Sequence, residues 1–258
     1  MIVTPCSPLV ARLHPSPNIE ARRGGASPDM LLLHYTGMKS CATAIDWLSR
    51  AESRVSCHYV VDMDGTIVQM VAEAERAWHA GVSCWDGVTD VNSRSIGIEI
   101  HNPGHDLGYP EFPAAQMTAV AALCRDIALR RHIPPHRILA HSDVAPARKI
   151  DPGEKFDWAW LAANGVGHWV EPAAIEALDT AEPISGAAGK RDRIRRAQEL
   201  LKAYGYAIDP KDEPVSGTAT VLKAFQRHFR PGRVDGLLDG STLDTLERLV
   251  ASVTGRGP

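Results

Sequence analysis

"DMLLLHYT" (residues 29–36) is a short apolar run between polar flanks, and it reads as a buried strand that ends on His34 and Tyr35. "KSCATAIDWLSR" (39–50) follows directly and sets Ala44, Ile45 and Leu48 on one helical face. The alternation then continues. "VSCHYVVDMDGTIVQMV" (55–71) holds two β-rich runs around Asp64-Gly65, the signature of a hairpin. "RSIGIEIHN" (94–102) is another strand, and "PAAQMTAVAALCRDIALRRH" (113–132) is a helix with Pro113 at its start. "HRILAHSD" (136–143) reads as a last short strand carrying His141, and "FDWAWLAANG" (156–165) as a short helix closed by Gly165. Strands mixed with helices in this way predict an α/β fold, a sheet with helices on its faces.

The chain of 258 residues has room for one medium and one small domain. A composition shift near Glu171 divides it. Residues 1–172 form the first domain, 173–189 a small-residue linker bearing Pro and Gly, and 190–254 a three-helix domain. In the last part Ile194, Ala197, Leu201 and Tyr204 recur at helical spacing, as do Val221, Leu222, Phe225 and Phe229. "STLDTLERLV" (241–250) opens with a Ser/Thr cap and repeats Leu243, Leu246 and Leu249. A domain of that size binds more often than it catalyses.

A net charge of −3 gives no electrostatic case for a nucleic-acid partner, and no apolar run approaches the roughly 20 residues of a membrane span. The start "MIVTPCSPLVARLHPSPNIEARRGG" (1–25) lacks the pattern of a signal peptide, which predicts a cytoplasmic protein, or a periplasmic one if the chain is a processed form. Five scattered cysteines without a C-x-x-C pair read as free, buried thiols.

Most of the 11 histidines must be ordinary. His34 and His141 differ because two apolar runs end alike, and Asp151 follows the second in "HSDVAPARKIDPG" (141–153). Two imidazoles and one carboxylate leave the fourth tetrahedral position of zinc open. No compact H-E-x-x-H helix is present, so these ligands have to meet in space. Glu99 stands in an interior-looking strand, where a carboxylate is costly unless paired or functional. His58, between Cys57 and Tyr59, reads as structural. Lys149 and Arg148 lie close to Asp151 and are candidate site cations.

Taken together, "LLLHYT", "VSCHYVVDMDGTI", "AWHAG", "NSRSIGIEIHN" and "HSDVAPARKIDPG" resemble the zinc-dependent N-acetylmuramoyl-L-alanine amidases of the AmpD/AmiD type, which are related to phage amidases and to animal peptidoglycan recognition proteins. The likeness runs over roughly residues 15–170 in unbroken order, and "RAQELLKAYGY" and "AFQRHFRP" resemble a three-helix peptidoglycan-binding domain. The resemblance implies a central mixed β-sheet flanked by helices. It implies one zinc ion per chain, held by His34, His141 and Asp151, with Glu99 as catalytic carboxylate and Lys149 stabilising the oxyanion. Tyr35, Trp78, His79, Asn102 and Arg148 become candidate substrate contacts, although Trp78 and His79 could equally be core. Some relatives carry a tyrosine where this chain has Cys57. The implied reaction cleaves the amide between N-acetylmuramic acid, or its anhydro form, and L-alanine of the stem peptide. The alternatives are a non-catalytic peptidoglycan receptor and a structural zinc protein. A monomer is expected. Two questions stay open: polymer or recycled muropeptide as substrate, and Asp143 as a partner of the metal site or as a turn residue.

Overall fold

The computed structural model describes residues 4–174, 187–209 and 215–255. The first part contains, in order, β1 (Arg12–Leu13), β2 (Ile19–Ala21), β3 (Met30–Tyr35), α1 (Cys41–Leu48), β4 (Tyr59–Val61), β5 (Ile67–Gln69) and β6 (Glu75–Ala77). Then come α2 (Val91–Arg94), β7 (Ser95–Ile100), α3 (Ala114–Arg131), β8 (Ile138–Ala140), α4 (His141–Val144) and α5 (Trp158–Ala163). Three longer helices complete the described residues: α6 (Ala187–Tyr204), α7 (Val215–Phe229) and α8 (Gly240–Thr254).

Six strands form one mixed sheet in the order β1-β5-β4-β7-β3-β8, and β2 pairs with β6 apart from it. The leucine run is apolar throughout because β3 lies between two parallel neighbours, β7 and β8, and is covered on both faces. The β4–β5 pair is the hairpin expected around Asp64-Gly65. Gly65 takes φ +87° there, and a Cβ would press on the Ala115 carbonyl oxygen at 2.9 Å.

Strand alternation sorts the two faces. Leu31, Leu33, Ile96, Ile98 and Ile100 pack on Met117, Val120, Cys124 and Ile127 of α3. Each such buried aliphatic side chain contributes about 1.5–3 kcal/mol. Met30 and Leu32 face the other way and join Trp85, Val91, Leu139 and Val144. That second cluster continues without a break into Ala197, Leu201, Tyr206, Phe225, Phe229, Leu246 and Leu249. The C-terminal helices therefore share a core with the sheet rather than closing one of their own.

Three local readings change. The last strand stops at Ala140, and His141 opens the one-turn helix α4, because the Asp143 carboxylate accepts a hydrogen bond from the Ala140 N–H at 2.8 Å and turns the chain. The cap of α8 is Asp239, whose carboxylate accepts from Thr242 N at 2.7 Å, while Ser241 and Thr242 lie inside the helix. Helix α6 begins at Ala187, inside the expected linker, and linker residues 175–186 lie outside the described residues. Among the described residues no helix is long and apolar enough to cross a membrane.

Candidate active site

The parallel register of β3 and β7 sets His34 opposite Glu99, and alternation turns both away from α3. His141 enters from the start of α4, and Asp151 from the loop after it, whose backbone carbonyl accepts from Ser142 N at 3.0 Å. Three atoms converge: His34 Nδ1 and His141 Nδ1 are 2.8 Å apart, and Asp151 Oδ2 lies 2.9 Å from the second and 3.2 Å from the first. All three residues are buried.

Hydrogen-bond direction decides what those atoms carry. His141 Nε2 lies 3.1 Å from the Ala80 carbonyl, which can only accept, so Nε2 holds the hydrogen and Nδ1 is bare. Ser95 Oγ donates to the Val91 carbonyl at 2.7 Å and so accepts from His79 Nε2 at 3.3 Å. His79 Nδ1 is then an acceptor, and His34 Nε2 donates to it at 3.1 Å, which leaves His34 Nδ1 bare as well. Two imidazole lone pairs and a carboxylate oxygen thus face one another with no hydrogen between them, an arrangement that repels unless a cation sits among them. Ligand atoms around tetrahedral zinc at about 2.0–2.1 Å are themselves about 3.3 Å apart. The donor set and its spacing fit zinc.

Titration tendencies agree. Burial, with His141 alongside, holds His34 down at about 4, so it is neutral at pH 7. His79 is held well below its ordinary value by burial and then by His34, as the relay requires. Asp151 is buried, and imidazoles that turn bare lone pairs toward it do not offset its loss of water, so a cation among the three would keep its carboxyl ionised. Glu99 moves the other way: burial first, then the negative charge of Asp151, push it well above the usual carboxylate range, with Lys149 opposing. Its Oε2 is buried without a hydrogen-bond partner among the described residues.

These groups open on a cleft of about 410 Å³. Of the residues expected from sequence, Tyr35, Trp78, His79, Glu99, His141, Arg148, Lys149 and Asp151 line it. Tyr35 is braced by His105 at 3.0 Å, which reaches Glu154 at 3.2 Å. Trp78 keeps a buried indole N–H without an acceptor among the described residues. His79 stands behind His34, because Gly97 has no Cβ: one would meet the His79 ring at 2.5 Å. Its main contact is His34 rather than the open cleft. Arg148 spends its guanidinium on the Ala80 and Val82 carbonyls, at 2.6 and 2.9 Å. Asn102 is absent from the lining: it is fully buried, and its amide braces a loop by donating to the Pro110 carbonyl and accepting from Gly104 N. Cys57 is buried and donates to the Tyr59 carbonyl at 3.2 Å, so it does not stand in for a catalytic hydroxyl. His58 is structural: its Nδ1 accepts from Gly97 N at 3.0 Å and its Nε2 donates to the Glu75 carbonyl at 3.1 Å.

The sequence reading missed Met38, Trp47, Asp106 and Ile150, which also line the cleft. Trp47 had a signal: it is a tryptophan on the polar side of an amphipathic helix, and it is 40% exposed.

A family model for N-acetylmuramoyl-L-alanine amidase matches residues 24–154, and one for a peptidoglycan binding domain matches residues 190–246. The N-acetylmuramoyl-L-alanine amidase AmiD of Escherichia coli is 36% identical over an alignment of 246 positions that covers 86% of this chain and 82% of AmiD. Its structure, a complex with the substrate anhydro-N-acetylmuramic acid-L-Ala-D-gamma-Glu-L-Lys, superposes with a TM-score of 0.74 at 33% identity, covering 92% of this chain and 94% of that one. AmpDh3 of Pseudomonas aeruginosa, in complex with anhydromuramic pentapeptide, gives 0.75 at 31% identity, covering 91% and 95%. The 1,6-anhydro-N-acetylmuramyl-L-alanine amidase AmpD of Citrobacter freundii is 34% identical over an alignment of 171 positions that covers 59% of this chain and 89% of that one. With the fold, the converging ligand set and these relatives in agreement, the chain belongs to the N-acetylmuramoyl-L-alanine amidase family.

Proposed function

We propose that this amidase cleaves the amide between anhydro-N-acetylmuramic acid and the L-alanine of a stem peptide, with one zinc ion held by His34, His141 and Asp151. The observation that carries the reading is the three bare acceptor atoms beside an unpartnered, half-buried Glu99. The substrate is taken from AmiD and AmpDh3, whose structures contain anhydromuramyl peptides.

Zinc, when bound, supplies Lewis acidity toward the scissile carbonyl and the attacking water. The side chains do the rest. Glu99 has no hydrogen bond to give up, and its raised proton affinity suits a base that accepts the proton of water and returns it to the leaving amine nitrogen. Lys149 lines the cleft beside Asp151 and brings a positive charge to the developing oxyanion. Tyr35 and Trp78 offer flat surfaces to the sugar and peptide. Residues 1–172 are the catalytic part, and 190–254 the peptidoglycan-binding part, of a monomer.

Purified protein given soluble anhydro-muropeptide releases the free peptide, loses this activity to a chelator and regains it with zinc. Turnover on soluble fragments exceeds that on insoluble sacculi. Full activity in Asp151→Ala, or none in the zinc-restored wild type, overturns the proposal.

A further inference from the structure

Asp143 is completely buried two residues after His141, and its carboxylate accepts three hydrogen bonds. One comes from Ala140 N at 2.8 Å and closes α4, the single turn that carries His141. The other two come from the C-terminal helices: Tyr206 Oη at 2.7 Å, just beyond α6, and His228 Nδ1 at 2.7 Å, on α7. His228 is itself clamped, its ring stacked on Trp158 at 3.7 Å. Tyr206 also supports the other hold on His141. The Ala80 carbonyl that fixes the His141 tautomer leads into the segment ending at Trp85, whose ring meets Tyr206 at 4.9 Å. In the same segment Cys84 N donates to the Val144 carbonyl at 2.8 Å, and just past it Asp86 N donates to the Gly205 carbonyl at 2.8 Å.

We propose that Tyr206 and His228 are positioning residues for the second ligand histidine, acting through Asp143, so that the C-terminal helices complete the metal site as well as serving any wall binding. The proposal rests on the reading of His34, His141 and Asp151 as zinc ligands. Its physical basis is the shortness of α4. A four-residue turn has too few internal hydrogen bonds to hold its own place, so the direction of the His141 ring depends on what anchors the turn. Two of the three anchors on Asp143 lie 63 and 85 residues downstream. Removing either leaves a buried carboxylate short of a donor, which it recovers only by moving the turn. Burial and the Asp143 charge keep the Tyr206 hydroxyl well above its ordinary value, so it stays a donor throughout.

The test is zinc affinity of the full-length chain, measured by competition with a chromogenic chelator, beside thermal unfolding of the same samples. Tyr206→Phe, which keeps the packed ring, and His228→Leu are each expected to weaken zinc binding about tenfold. His228→Asn, whose amide nitrogen can occupy the place of Nδ1, is expected to recover most of that loss. Leu249→Ala removes a side chain from the same buried cluster without touching Asp143, and it is expected to lower the Tm while leaving affinity within about twofold. Wild-type affinity in Tyr206→Phe and His228→Leu overturns the proposal, as does an equal loss in Leu249→Ala. Because the readout is the metal alone, a wild type that binds zinc and cleaves no muropeptide strikes the proposed function and leaves this assignment standing.

Discussion

Glu73 and Glu99 are carboxylates withdrawn from water in one domain, and their surroundings drive them apart. Glu73 is fully enclosed and fully answered: Tyr59 donates at 2.7 Å, Arg130 at 2.8 and 2.9 Å, and Arg131 at 2.8 Å. Burial opposes its charge, but the hydrogen bonds from Arg130, Tyr59 and Arg131 outweigh it and bring Glu73 down to about 2. Glu99 has one oxygen with no partner, and burial drives it up. A satisfied carboxylate is fixed in one protonation state and holds structure together. An unsatisfied one costs stability and can exchange a proton.

The largest expected effect is on catalysis. Glu99→Gln is expected to lower kcat roughly 10²–10⁴-fold, the usual worth of a general base. The same substitution should leave the Tm unchanged or raise it, since it removes an unpartnered ionisable charge while keeping the shape of the side chain. Steady-state turnover and thermal unfolding of one preparation check both, and a fall in Tm with activity retained would make Glu99 a second Glu73. Glu73→Gln is the mirror image. It leaves two arginines without their shared anion and should cost about 3–5 kcal/mol in denaturant unfolding, with kcat per folded molecule unaltered.

Acid separates the pair without mutation. The Glu73 carboxyl binds its proton more weakly in the folded chain, at about 2, than its ordinary 4.5. Its contribution, about 3 kcal/mol, is therefore complete above pH 4.5 and is lost as the pH falls from there through 2. Denaturant midpoints across that window should fall in the wild type and flatten in Glu73→Gln. Parallel curves would remove Glu73 from the acid sensitivity of the fold.

The contrast also shows what a sequence can disclose. The sheet, its hairpin and the three converging groups were legible because each rests on a local pattern: an apolar run, a turn dipeptide, a histidine where a strand gives out. Glu99 was legible as a costly residue in an apolar strand. The roles of His79, Asn102 and Asp143 were not, because they depend on contacts across the fold. Asp143 looked like a turn residue or a partner of the metal site, and it caps its turn while accepting from side chains 63 and 85 residues away. Asn102 follows the strand of Glu99 as a cleft residue would, yet its amide is consumed by its own loop. The amphipathic faces of α6, α7 and α8 look alike in sequence whether they close on one another or on a sheet, so the shared core could not be read in advance.

Gly97 offers the smallest and most local test, because it sits between structure and chemistry on the same strand as Glu99. Its backbone is in no conformation reserved for glycine, so Gly97→Ala brings no backbone strain; the nearest atoms to the new Cβ are those of the His79 ring, at 2.5 to 2.7 Å. That ring cannot stay, and with it goes the acceptor that holds the hydrogen of His34 on Nε2 and leaves Nδ1 bare. Zinc affinity should fall about 10–100-fold while the Glu73 cluster and its acid response are untouched. The orientation of His34 depends on the relay through His79 to Ser95 if the loss appears. Unchanged affinity would mean that strand register alone aims His34, and the ordering of the site would then belong to the sheet rather than to the hydrogen bonds behind it.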